Sequence, residues 1–498
     1  MCRFPPSTGR PLTKVSGIAA FVLLATMNAA GYRYAASDQA FYIPAVVRHL
    51  DPSTFPRDGA LIDSQARLTL VDDTVALAAR TSGLSLPHLF LGLYVVTLAL
   101  MLGGTIRIGA RFYRGRWALV ALGAALTLRH AIAKTGANTL EGYFHPRQLA
   151  FAAGLWAVGA FLERREWIAL GLIALAAVLH PTTAAWFLVW LTAAAAIERP
   201  AWRGRLAIAA TLGLIAGAFA TWQGPLAGHL SIMDSEWLAA IGEKDLFPLA
   251  WPADAWITNL VTVPIILLCW QARRRAGLTV PGETAIAVGA MALVLLFCCW
   301  LPFNAAHVAL AVQLQAARVF WMLDVLATIY LVWALAEGTA AAAPGRRGAI
   351  VAALLITASV ARGVYTCFVQ FPDRRIFAVD VQHQDWRDAM AFARTTDPGS
   401  GWLADPIHAA KYGSSLRAAG HRDVVLEALK DRAIAMYDRN VAMRVAERLR
   451  ALQEQPWDTP DGARALARRF SLDYLVVDRE LELPLAHRAG SLFIYKLR

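Results

Sequence analysis

Between residue 15 and about residue 370 the chain keeps returning to apolar runs of roughly 17–25 residues, the length that carries a helix across a hydrocarbon core. In lipid such a run has no water for its backbone groups, so it must close its hydrogen bonds internally as a helix. Spans are expected at approximately 15–31, 86–106, 117–133, 148–162, 167–180, 182–197, 206–222, 256–271, 283–302, 318–336 and 349–369. The expected class is an α-helical polytopic membrane protein of about 11 transmembrane helices, with residues 1–371 as its multi-pass part. Composition agrees: 17% of the residues are charged, where soluble chains carry near a quarter.

The basic residues give an orientation. Arg107, Arg111, Arg114 and Arg116 mark one loop, Arg164 and Arg165 the next, then Arg199, Arg203 and Arg205, then Arg273–Arg275, then Arg346 and Arg347. With eleven crossings all five loops fall on one side, joined there by the N-terminal Arg3, Arg10 and Lys14. The expectation is a cytoplasmic N-terminus and an outer tail. This placement also accounts for the net charge of +12 without nucleic acid. A cleaved secretory signal ending at Ala30 is the alternative to an uncleaved first anchor, and it leaves the loop orientation unchanged. Cys269, Cys298, Cys299 and Cys367 lie in apolar runs or at their edges and Cys2 at the terminus, so no disulfide framework is expected.

Three hydrophilic features should then lie outside: the long first loop 32–85, the loop 223–255 and a small α/β domain over 372–498. "SQARLTLVDDTVALAART" has the periodicity of a surface helix, and "DSEWLAAIGEKDLFPLAWPADAW" mixes Trp and acids like an interfacial segment. Residues 301–318 read as an outer or re-entrant piece packed on protein, and Pro181 divides two short helices at His180. In the tail, "QDWRDAMAFARTT" reads as an amphipathic helix, "GWLAD", "LDYLVVD" and "SLFIYKL" as strands, and the stretch from Arg422 to Gln453 as one or two helices.

In this topology Asp38, Lys134, Glu141, His145, Arg147, His180, His307 and Arg318 all fall near the outer ends of helices, which suggests a polar cavity opening at the outer leaflet. Asp38 in "YAASDQAFYIP" reads either as a cap for the next helix or as a general base or metal-bridged carboxylate acting on an acceptor hydroxyl. Arg147 in "GYFHPRQLAF" is an interfacial anchor or a phosphate clamp, and Arg318, near Gln313 and Gln315, has the same two readings. His180 is a helix-end residue or a ligand. Asp324 and Arg362 should reach one depth on consecutive antiparallel helices and form an ion pair. The alternative turns Arg362 to the cavity as a phosphate ligand oriented by Asp324. The sequence contains no P-loop, GxGxxG, HExxH or paired-Cys motif.

A first helix followed by a long loop opening on "SDQAFY", many further helices and a C-terminal outer domain resembles the GT-C superfamily of membrane glycosyltransferases. "DWRDAMAFARTTDPGSGWLADP" is similar to the W-x-x-A-x-x-W-x-R-x-x-T-P-x-x-A stretch that often opens their soluble part. The nearest likeness is to uncharacterised bacterial multi-pass proteins of this kind. The resemblance implies a bacterial cytoplasmic (inner) membrane protein that moves a sugar from a polyprenyl-phosphate donor to a cell-envelope glycan or protein acceptor on the outer face. It carries the role of catalytic base over to Asp38 alone; Gln39, Tyr42, His145, Arg147, His180, Arg318 and Arg362 are the candidate substrate-binding residues from their places in the sequence. Many relatives carry a second acid where this chain has Gln39, so the support for a divalent metal is weak and the cofactor is left unassigned. The competing readings are a catalytically inactive scaffold of the same shape and a polysaccharide or lipid export component. An exporter would call for inverted repeats and polar residues at mid-depth.

Overall fold

The computed structural model describes residues 11–242, 244–339 and 344–498. Cys2, Arg3 and Arg10 lie outside the described residues. The chain is mainly helical, and among the described residues six helices are long and apolar enough to cross a membrane: Leu86–Phe112, Pro200–Trp222, Ala253–Arg275, Glu283–Ala305, Ala309–Ala336 and Gly345–Gln370. The other expected spans are helical but fall below that standard. Val15–Asn28, Arg116–Thr127 and Glu166–Leu179 are shorter apolar helices. Arg116–Thr127 stops six residues before the expected 133 because the chain turns into a hairpin, Ala131–Ile132 against Ala137–Asn138.

Helix Pro146–Leu162 runs through the centre. Nearly all of its residues are buried, and its many Ala and Gly residues let its neighbours come close. At Gly154 a Cβ would run into the ring of Phe187, so the small residue is what allows helix Pro181–Glu198 to pack there. Phe151 of the same helix stacks on Trp321 with ring centroids 3.8 Å apart. Pro146 and Pro181 each sit in the first turn of a helix, where the missing N–H costs no hydrogen bond.

The Arg-rich loops gather at one end of this bundle. Arg107 Nε lies 2.8 Å from Glu163, Arg111 donates to the Leu162 carbonyl at 3.1 Å, and Arg199 meets Glu166 at 2.9 Å. Arg273, wholly buried, pairs with Glu283 at 2.5 Å and lies over the Trp333 ring. Glu163 follows the C-terminus of the central helix, whereas His145 caps its N-terminus, so the other end of the bundle carries the polar residues expected to form a cavity.

At that end the first helix leads into Tyr32–Arg33, which pairs in parallel with Phe377–Ala378 of the tail. Gly31, at φ +82, brings the backbone against the Arg375 carbonyl, a conformation and an approach that favour glycine. The loop 32–85 holds the helices Gln39–Leu50, Gly59–Ala66 and Val71–Ser82, where the sequence predicts one, over 64–81. The expected single helix breaks at 67–70. The loop 223–255 also departs from expectation. Its helix Ser235–Ile241 packs on tail helix Arg439–Glu454, with Trp237 buried and its Nε1 donating to the Ala435 carbonyl at 2.8 Å. Within 301–318, Ala309–Leu314 is packed on protein, as expected.

The tail forms a five-stranded sheet in the order Asp423–Val424, Gly401–Leu403, Tyr474–Val477, Leu492–Lys496, Leu485–Ala489. The first three strands are parallel and the last two antiparallel to their neighbours. Buried Trp386 and Trp402 lie in its core, with helix Gln384–Thr395 where the sequence expects one. A buried charge cluster clamps the first loop to this tail. Asp58 accepts from Arg417 Nε at 2.6 Å, from Arg444 and, at 3.5 Å, from Arg448, and Arg417 also grips Asp431.

Candidate functional site

At the end of the bundle opposite the basic loops lies a cavity of about 600 Å³ lined by Asp38, Tyr42, Lys134, Glu141, Tyr143, His145, Arg147, His180, Arg318, Lys430 and Tyr437, among others. This volume is in the range that holds a small-molecule ligand. Of the eight polar residues expected at the outer helix ends, all but His307 line it.

Asp38 is presented by a tight turn. Ala35 and Ser37 both take left-handed φ values, 59 and 52, which L-residues adopt at a cost. Gln39 holds the turn: its Oε1 accepts from Ala35 N at 2.8 Å and its Nε2 donates to the Phe144 carbonyl at 3.2 Å. Gln39 is fully buried and does not line the cavity, so it is a positioning residue and not the substrate ligand expected. Asp38 occupies the N-cap position of helix Gln39–Leu50, yet its side chain makes no cap bond. It accepts instead from three donors: Lys430 Nζ at 2.6 Å, His145 Nε2 at 3.2 Å and the Tyr143 hydroxyl at 3.4 Å. With 27% of its side chain exposed, it remains reachable from the cavity.

The protonation states follow from these contacts. Burial alone would push the Asp38 carboxyl up, but the Lys430 ammonium and the His145 hydrogen bond outweigh it and hold it well below the usual range. Burial, helped by the Arg147 charge, pushes His145 down to about 4. His145 Nδ1 accepts the Arg147 backbone N–H as a helix cap at 3.1 Å, which leaves the proton of the neutral ring on Nε2, aimed at Asp38. Asp38 is therefore an ionised carboxylate steadied by a neutral imidazole and an ammonium.

The cationic wall divides into paired and unpaired groups. Lys134 meets Asp245 at 3.1 Å, and Arg147 meets Glu141 at 2.9 Å and the Gly136 carbonyl at 3.2 Å. Arg147 is thus largely committed to the protein, which corrects its reading as a phosphate clamp, although its Nε is buried without a partner. Arg318 is the freer cation: among the described residues its one hydrogen bond is from Nε to the Thr135 carbonyl at 3.3 Å, and it has no carboxylate partner there. Tyr42 lines the cavity edge-on to the His145 ring, with its hydroxyl 3.4 Å from Gln65. His180 caps helix Pro181–Glu198 through Nδ1, its helix-end reading, and also lines the cavity.

Arg362 is not among the cavity-lining residues. It donates to the Asn28 carbonyl at 3.0 Å and to Asn28 Oδ1 at 2.9 Å, while Asp324 meets His130 at 2.9 Å. The expected Asp324–Arg362 ion pair is not formed, because each group finds another polar partner: Asn28 at the end of the first helix for Arg362, and His130, in the turn after helix Arg116–Thr127, for Asp324. Sequence reasoning also missed Lys430, Tyr437, Arg33, Arg129 and Arg374, which come from the tail and from helix ends. Lys430 belongs to a short helix, Ala428–Ile434, whose sequence carries no motif, so only the fold brings it to Asp38. Among the described residues no group of three or more His, Cys, Asp and Glu side chains is placed to hold a metal ion.

The fold and the apolar helices define a helical membrane-embedded protein with a C-terminal sheet domain over one end of its bundle. The chain matches no model of a known protein family and no curated protein.

Proposed function

We propose that the protein is a membrane glycosyltransferase of the GT-C type. It would move a sugar from a polyprenyl-phosphate donor to a cell-envelope glycan or protein hydroxyl on the outer face of a bacterial cytoplasmic membrane. The observation that carries this reading is the ionised Asp38 carboxylate facing a cavity whose wall also holds the uncommitted Arg318. An inverting transfer requires that pair of features: a proton acceptor for the incoming hydroxyl and a cation for the departing phosphate.

In the proposed reaction the acceptor oxygen attacks the anomeric carbon and its proton passes to Asp38. The bond from that carbon to the phosphate oxygen breaks, and the electron pair leaves with the phosphate, which Arg318 receives. Lys430 lines the same cavity and pairs with Asp38, so in this reaction an arriving phosphate would draw its ammonium from Asp38 and expose the carboxylate to the acceptor. Tyr143 and His145 keep Asp38 in place throughout. The reading places about eleven crossings, the N-terminus inside and the tail outside, and the gathering of the Arg-rich loops at the far end of the bundle supports that orientation.

One observation favours the inactive scaffold as a second reading: both Asp38 oxygens are already engaged, as in a permanent structural ion pair. A comparison of lipid-linked sugars and envelope glycans between a deletion strain and its parent separates the two. A glycosyltransferase leaves an accumulated donor and a missing sugar. A scaffold leaves both unchanged.

A further inference from the structure

Three guanidinium groups that the transfer described above does not use also line the cavity: Arg33, Arg129 and Arg374. They come from three separate places. Arg33 stands on the short strand after the first helix, with its backbone N–H bonded to the Gly142 carbonyl at 2.8 Å. Arg129 follows helix Arg116–Thr127, and Arg374 leads into the tail with its guanidinium 3.6 Å over the Phe371 ring. Among the described residues no carboxylate lies within ion-pair distance of any of them, and Arg33 Nε is buried without a hydrogen-bond partner.

Arg33 feels the charges of the other two. Burial, then the charges of Arg374 and Arg129, lower Arg33 to about 10, with the Tyr143 hydroxyl opposing them. Arg318 has a different set of electrostatic neighbours, led by Arg147, Tyr437 and Asp38. The cavity therefore contains two basic groups, and among the described residues the Arg33 group has no ion-paired carboxylate. Guanidinium forks of this kind match a planar or tetrahedral oxyanion bidentately.

We infer that Arg33, Arg129 and Arg374 form a second oxyanion subsite for a phosphate-type group, so that the cavity takes two anionic groups at once. The second group is carried either by a lipid headgroup or by a soluble phosphate, and the chemistry of recognition is the same for both. Under the glycosyltransferase reading it belongs to a second phosphate on the donor or to an acidic acceptor. The subsite itself does not depend on that reading, because it rests on the unpaired cations alone.

The test is binding to the purified full chain in non-ionic detergent, with inorganic phosphate and farnesyl phosphate as separate probes. The expected result is two sites for at least one probe. The double variant Arg129→Gln with Arg374→Gln weakens one site at least tenfold and spares the other, while Arg318→Gln does the reverse. A loss seen with inorganic phosphate marks a subsite for soluble phosphate; a loss seen with farnesyl phosphate alone marks a lipid-borne one. Either loss supports the subsite. Arg129 is exposed, so the single Arg129→Gln carries the test if the double variant melts early. A single site for both probes, or two sites indifferent to Arg129 and Arg374, overturns the inference. No sugar transfer is measured, so this outcome is independent of whether the chain is a glycosyltransferase.

Discussion

Lys430 Nζ lies 2.6 Å from Asp38 Oδ1, joining the tail to the first loop across 392 residues of sequence. The contact makes the C-terminal domain part of the cavity wall. It also sets a charge balance that an anionic substrate must change. Burial would lower Lys430, but the Asp38 carboxylate keeps it raised, so the ammonium persists at neutral pH.

Lys430→Met should therefore weaken donor binding. A charge-assisted hydrogen bond contributes about 1.5–3 kcal/mol, so KM for the lipid-linked donor should rise roughly tenfold or more. Steady-state kinetics on purified protein gives the answer, and an unchanged KM removes Lys430 from the donor's path.

Arg318→Lys keeps the charge and loses the planar fork. Donor affinity should fall while thermal unfolding stays close to the parent, since among the described residues Arg318 makes one side-chain bond, to the Thr135 carbonyl. If donor binding is the same in both proteins, the departing phosphate does not sit at Arg318.

Much of the bundle was legible in the sequence because apolar length and helix-ending prolines are local signals. Asp38, Tyr42, His145, Arg147, His180 and Arg318 come together at one cavity because each sits near the same end of its helix. What escaped was long-range. Nothing near Lys430 announces that its helix reaches Asp38, and nothing near Arg362 shows that Asn28 will engage it before Asp324 can. Arg33 and Arg374 resemble ordinary flanking charges until the pairing of Tyr32–Arg33 with Phe377–Ala378 brings their segments together. Gln39 was misjudged for a related reason: its neighbour suggested chemistry, but its amide was needed to hold a strained turn.

The clamp between loop and tail should be costly to open. Asp58→Ala leaves Arg417, Arg444 and Arg448 without their shared carboxylate, and breaking a buried pair in this way costs about 3–5 kcal/mol. Thermal unfolding in detergent should show a clear loss. A melting temperature within a degree or so of the parent would mean that the cluster is open to water.

Glu427 gives the tail a pH dependence. Burial pushes its carboxyl up to about 7 from the ordinary 4.5, with Arg417 opposing and Asp431 adding to the rise. Between those values the folded chain holds a proton that the unfolded chain has lost. Stability from this group is complete below about pH 4.5 and is lost as pH rises through 7. Glu427→Gln should therefore gain stability relative to the parent on going from pH 4.5 to pH 8. Parallel melting curves would contradict the assignment.

The most direct measurement is sugar transfer by Asp38→Asn, made on purified protein with a lipid-linked donor on which the parent is active. The substitution keeps the side chain's shape and removes the proton acceptor, so transfer should fall by at least a hundredfold, the lower end of a general base's usual contribution. The variant should still fold and still bind donor. Transfer at the parent's rate would show that Asp38 is not the base.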